Sequence, residues 1–166
     1  MQTNHDNSSF KKNKFPIVLV CDNISKAPNI GSLFRTADAF GVEKLIFCGE
    51  NIPLGRRMTK TSRATEKVVL HEVRIDSVSL VRELKSQGYH IFSLEITSDS
   101  IPIHNYLFPS RPIALIIGDE NHGVSDSVLS QSDCILHVDM FGENSSMNVV
   151  QACTIALYEI TRQFNC

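Results

Sequence analysis

Three short polar segments hold the side chains of this 166-residue chain best suited to chemistry. They are Asn29-x-Gly31-x-x-x-Arg35-Thr36, Gly118-x-Glu120-x-x-Gly123 and Met140-x-Gly142-x-x-x-Ser146-Met147-Asn148. An arginine forks readily onto a phosphate or a developing oxyanion. Arg35 lies one helical turn beyond Gly31, and helix side chains tilt toward the N-terminus. Gly31 is therefore expected to leave room for the Arg35 guanidinium across the helix start, near Asn29; the alternative is a surface arginine paired with Asp38 or Asp22. In the second segment the two glycines permit unusual backbone and close approach of a ligand, with Glu120 as a capping carboxylate or a ligand acceptor. The third offers backbone amides and the small polar groups of Ser146 and Asn148. A plain turn is the alternative for the second segment and an ordinary solvated loop for the third.

Each segment follows an apolar run of strand length. Such runs occupy 16–21, 44–48, 68–73, 90–96, 113–117 and 134–138. Between them lie helical stripes: Ile30, Leu33, Phe34, Ala37 and Phe40, ending at Gly41; Val78, Val81 and Leu84 behind an Asp76 N-cap; and Val149, Val150, Cys153, Ala156, Leu157 and Ile160. A short helix is expected at 125–129, and a Pro-punctuated link with a turn at 104–107 fills 97–112. Alternation of this kind gives an α/β fold: a single domain with a mainly parallel sheet of about six strands flanked by helices. Ligands of open α/β sheets sit past the carboxyl ends of the strands, where all three segments fall. No Gly-x-Gly-x-x-Gly follows the first strand and no Gly-x-x-x-x-Gly-Lys-Ser/Thr occurs, which disfavours an ordinary dinucleotide site or a P-loop.

The composition is 42% hydrophobic and 20% charged, which suits one globular domain with a sizeable core. No apolar run nears the roughly 20 residues of a membrane span, and 1–14 is polar without the apolar centre of a secretion signal, so a cytoplasmic protein is expected. Residues 1–15 read as a flexible basic tail and 16–166 as the domain. Five scattered cysteines, with no Cys-x-x-Cys, indicate neither a disulfide framework nor a metal site. Net charge is −2, yet residues 1–67 carry 11 Lys+Arg against 6 Asp+Glu, while 68–166 carry 5 against 12. Arg56, Lys60, Arg63 and Lys67 fall at helical spacing with Arg57 beside them, so a helix here would show one positive face, a candidate phosphate-contacting surface.

In this order and spacing the three segments resemble the signature motifs of the SpoU (TrmH-type) branch of the SPOUT superfamily, S-adenosylmethionine-dependent RNA ribose 2'-O-methyltransferases. The resemblance runs from about Pro16 to Ile160 and is specific because three motifs agree in register. Two positions depart from it: Asp139 stands where the family usually has Pro, and Met147 where it usually has Leu. The resemblance implies a C-terminal trefoil knot, an obligate homodimer and S-adenosyl-L-methionine as cofactor. It implies a cofactor cradle of Leu94, Glu95, Gly118, Glu120, Gly123, Ile135, Met140, Ser146 and Met147. It further implies catalysis centred on Arg35, with Asn29, Ser146 and Asn148 orienting it and the ribose, and Glu120 supporting the loops. Asp139 puts a carboxylate close to that cradle, and a knotted dimer that binds RNA without catalysing is the alternative it raises. The substrate implied is RNA, transfer RNA first and ribosomal RNA second. Recognition would fall to Arg56, Arg57, Lys60, Arg63 and Lys67 with the Lys11–Lys14 tail, since no second domain is read in the sequence.

Overall fold

A computed structural model describes residues 11–165; most of the expected tail, 1–10, and Cys166 lie outside them. Seven parallel strands form one sheet: β1 (Phe15–Asp22), β2 (Val42–Cys48), β3 (His71–Arg74), β4 (His90–Leu94), β5 (Ile101–Pro102), β6 (Ile113–Gly118) and β7 (Cys134–His137). The order is β3-β2-β1-β6-β4-β7-β5. Among the described residues five α-helices accompany them: α1 (Ala27–Ala39), α2 (Arg56–Ser62), α3 (Ser77–Ser86), α4 (Asp126–Leu129) and α5 (Val149–Phe164).

Strand alternation sorts the core into two layers. Ile17, Leu19 and Cys21 of β1 and Ile113, Leu115 and Ile117 of β6 join the α1 and α5 stripes on one face. Val18, Val20, Ala114 and Ile116 meet Leu80, Val81, Leu84 and Val128 of α3 and α4 on the other. Burial on both faces is why these strands read as continuous apolar runs. The Asp76 cap is present, its carboxylate accepting from Val78 N at 3.0 Å and Ser79 N at 3.2 Å.

Three elements differ from the sequence pattern. The Pro-punctuated link contains an additional strand, β5, whose two residues pair with β7; a proline there is tolerated because β5 is an edge strand. The third strand starts at His71 rather than 68: only Val69 of the 68–70 run is buried, while Val68 and Leu70 are exposed. The basic helix stops at Ser62, because Arg63 (φ 50°) and Ala64 (φ 69°) are both left-handed. A 3-10 turn, Thr65–Lys67, follows, so the expected continuous positive face from Arg56 to Lys67 does not form.

The register sets the carboxyl ends of four strands side by side: Asp22 pairs with Gly118, Leu94 with Ile117, and Leu94 with Leu136. The chain leaves β1 toward β2 and β3, then returns to the far side of the sheet, so β1 and β6 flank the switch point where open sheets bind ligands. Among the described residues no helix is long and apolar enough to cross a membrane.

Candidate active site

The loops past β1, β6 and β7 meet on one carboxylate. Glu120 Oε1 accepts from Asn148 Nδ2 at 3.0 Å and from Asn29 Nδ2, and Glu120 Oε2 is ion-paired with Lys26. Asn148 Nδ2 also lies 3.3 Å from Asn29 Oδ1. One residue from each of the three polar segments thus enters a single cluster, with the two asparagines fixed by helix starts and Glu120 by the loop after β6. Asn29 sits in the first turn of α1, and Asn148 caps α5, its Oδ1 accepting from Val150 N at 2.9 Å.

The loops are pinned from below. Asp22, buried at the end of β1, accepts from Ser125 N at 3.0 Å and Ser125 Oγ at 2.8 Å. Glu95 accepts from Val124 N at 2.9 Å and from Ile96 N at 3.0 Å. A Cβ on Gly118 would stand 2.0 Å from the Gly123 carbonyl carbon, and one on Gly123 (φ +67°) 2.2 Å from Glu95 Oε2. The glycines of the second segment therefore serve close packing of the loop on itself and on Glu95. Asp119 is held ionised below the usual carboxylate range: burial alone would raise it, but the Asn121 N–H and His122 outweigh that.

Beside the cluster lies a cavity of about 360 Å³. Eight of the nine expected cradle residues line it: Leu94, Glu95, Gly118, Glu120, Gly123, Met140, Ser146 and Met147. Ile135 does not. It pairs with Ser93, one level below the carboxyl edge of the sheet, and the wall is supplied instead by His137 and Val138 beyond it. Asp139 is also absent from the lining; its carboxylate accepts from His137 Nε2 at 3.1 Å and lies 3.7 Å from His104. His137 Nδ1 meets Ser100 Oγ at 2.9 Å, so this histidine ties the loop after β4 to the loop after β7.

Arg35 is exposed and, among the described residues, makes no hydrogen bond or ion pair. Neither Asp22 nor Asp38 holds it. The space at Gly31 is not open to it either, because α2 fills that space: a Cβ on Gly31 would stand 2.0 Å from Thr61 Oγ1 and 2.3 Å from Met58 O. Ser146 is exposed on the cavity rim, its N–H 3.3 Å from Asn144 Oδ1. Arg56, Arg57, Lys60, Arg63 and Lys67 are all exposed, and Arg56 and Arg57 line a second cavity with Lys26 and Asn29. Sequence reasoning left out Lys26, and took in His137 and the remainder of the 119–123 loop only as parts of longer stretches, without singling them out. Only their positions at or just past strand ends, shared with the residues it did mark, signalled them.

The fold and site define an α/β protein whose candidate ligand site is built from loops beyond the carboxyl ends of parallel strands. The chain belongs to the SpoU rRNA Methylase family, whose sequence profile matches residues 16–158. It is 29% identical over 152 residues to the tRNA (guanosine(18)-2'-O)-methyltransferase of Saccharomyces cerevisiae, covering 89% of this chain and 10% of that protein. It is 28% identical over 143 residues to the 23S rRNA (guanosine(2553)-2'-O)-methyltransferase of Bacillus subtilis, covering 86% of this chain and 57% of that one. The chain thus spans only part of the length of these relatives. The crystal structure of the A. aeolicus TrmH/SpoU tRNA modifying enzyme superposes with a TM-score of 0.84 at 26% identity, over 93% of this chain and 78% of that one.

Proposed function

We propose that the chain transfers a methyl group from S-adenosyl-L-methionine to a ribose 2'-hydroxyl of RNA, with transfer RNA the first substrate and ribosomal RNA the second. The observation that carries this reading is the Asn29–Glu120–Asn148 cluster, set against a cavity whose wall holds eight of the nine cradle residues. The cavity suits the cofactor. It has apolar walls in Ile117, Val138 and Met140, carboxylates in Glu95, Asp119 and Glu120, and no Lys or Arg to repel a sulfonium.

When bound, S-adenosylmethionine supplies an electrophilic methyl group; the chain's residues must orient the acceptor oxygen and stabilise it as its proton leaves. Glu120 already carries donors from Lys26, Asn29 and Asn148, which makes it a scaffold that fixes both amides rather than a proton acceptor. Arg35, exposed and without a hydrogen bond or ion pair among the described residues, is the group available to hold the substrate phosphate and the developing alkoxide. A literal base role is disfavoured, since neutralising a guanidinium of pKa roughly 12.5–13.8 at pH 7 costs on the order of 7–9 kcal/mol. The catalytically silent alternative rested on Asp139, whose carboxylate is engaged by His137 and does not line the cavity.

Family membership supports the further reading of a C-terminal trefoil knot and a homodimer working in the cytoplasm. Exposed Ile155 and Tyr158 on α5 offer apolar surface for such an interface. Calorimetric titration with S-adenosylmethionine, followed by mass spectrometry of 2'-O-methylated nucleosides in unmodified tRNA and rRNA incubated with the protein, tests the function. Saturable cofactor binding with RNA-dependent methylation is expected; absence of both would overturn it.

A further inference from the structure

Two cavities adjoin at the Lys26–Glu120 ion pair, and their charges are opposite. The cavity assigned above to the cofactor is lined by three carboxylates and no Lys or Arg. The second, of about 750 Å³, lies between residues 25–29 and 53–57 and is lined by Lys26, Arg56 and Arg57 with no Asp or Glu. Each member of the pair belongs to a different wall: Glu120 faces the first cavity and Lys26 the second.

The two arginines are uncompensated. Among the described residues neither Arg56 nor Arg57 pairs with a carboxylate, and the nearby acid Glu66 instead accepts from Ser62 Oγ at 2.5 Å. Their positions relative to Asn29 are fixed, since α2 donates from Thr61 Oγ1 to Pro28 O at 3.0 Å and packs against Gly31. A cleft with fixed cations and no acid concentrates anions. Lys60, one helical turn beyond Arg56 on α2, is exposed as well, which fits a polyanion running through rather than one small anion.

We propose that this second cavity is the phosphate subsite for the RNA chain beside the reacting nucleotide, and that Lys26 is a positioning residue shared between that phosphate and Glu120. The proposal rests on the RNA methyl-transfer reading and assigns the cationic donor and the anionic acceptor to separate, oppositely charged clefts.

The test uses the whole protein with a labelled, unmodified tRNA transcript as probe, titrated between 50 and 200 mM salt, values chosen because phosphate contacts dominate the response in that range. Each lost phosphate contact should lower the log–log salt slope by roughly 0.7–0.9. The Arg56→Ala/Arg57→Ala variant should therefore lose between one and two of these increments, bind RNA about tenfold or more weakly, and titrate S-adenosylmethionine as the wild type does. Arg82→Ala, on α3 away from the cleft, should leave the slope unchanged. Lys26→Gln should raise KM for RNA and lower kcat together, and Lys26→Arg should restore both. An unchanged slope in the double variant, or competition by free adenosine monophosphate equal to that by RNA at matched phosphate, would overturn the subsite. If methylation persists in that case, only the subsite fails; a wild-type protein that neither binds S-adenosylmethionine nor methylates RNA overturns the underlying function as well.

Discussion

Asn148 makes two bonds that serve different ends: its Oδ1 accepts from Val150 N at 2.9 Å, and its Nδ2 donates to Glu120 Oε1 at 3.0 Å. The first starts helix α5; the second joins that helix to the loop after β6, 28 residues earlier. Asn148→Ser separates them. Serine is nearly as good an N-cap, so stability by thermal unfolding should change by no more than about 0.5 kcal/mol. The donor to Glu120 is lost, and methyl transfer should fall on the order of 10²-fold from misplacement of the cluster. Equal loss of stability and activity would show that the residue is only a cap.

Arg35 calls for the opposite pattern. It is exposed and, among the described residues, without a partner, so Arg35→Ala should shift stability by no more than about 0.5 kcal/mol and leave S-adenosylmethionine titration intact. Methyl transfer should drop by roughly 10²–10³-fold, the size of effect seen when one donor to a developing oxyanion is removed. Turnover close to wild type in a well-folded protein would transfer the role to another residue.

Gly31 sets two effects against each other. Alanine in a helix interior gains about 0.5–1 kcal/mol over glycine. Here its Cβ would meet Thr61 Oγ1 at 2.0 Å, Met58 O at 2.3 Å and Ser62 N at 2.9 Å, and two of the three are backbone atoms that cannot rotate away. Overpacking of this kind typically costs 1–3 kcal/mol, so Gly31→Ala should be net destabilising. At about 2–4 °C per kcal/mol for a chain of this size, the midpoint of thermal unfolding should fall by several degrees. Adding Thr61→Ala should recover only part of it, since the Met58 carbonyl remains. A raised midpoint would mean that α1 and α2 do not pack at this glycine.

The same glycine shows what the sequence could and could not convey. Apolar runs and helical stripes marked six strands and the main helices because burial on both sheet faces leaves a period that can be read directly. The three polar segments were legible as a set because each falls where the apolar pattern breaks past a strand. What lay beyond reach was decided by neighbours distant in the chain. Nothing near Gly31 announces Thr61, and nothing near Lys26 announces Glu120, 94 residues away. Strand β5 has two residues, one of them proline, too short for any period. Left-handed Arg63 and Ala64 end a helix that side-chain spacing alone would have continued.

Cys48 supplies a pH dependence whose sign follows from burial. Enclosed at the end of β2, its thiol is pushed from 9.0 up to about 12, with burial the largest cause and the charge of Asp22 next. In the unfolded chain the thiol ionises near its ordinary value, while in the folded chain it stays protonated until much higher pH. The folded state therefore binds the proton more tightly, and its advantage is fully present below pH 9 and lost as pH rises toward 12. Cys21 and Cys153, also buried and raised by burial, act in the same direction. Thermal midpoints measured from pH 8 to 11 should decline in the wild type, and the decline should be shallower in Cys48→Ala despite a lower starting stability. Alkylation adds a second readout: among the described cysteines half-buried Cys134 should react first, with Cys21, Cys48 and Cys153 protected until unfolding. Identical slopes in the two proteins would show that Cys48 ionises no differently when folded.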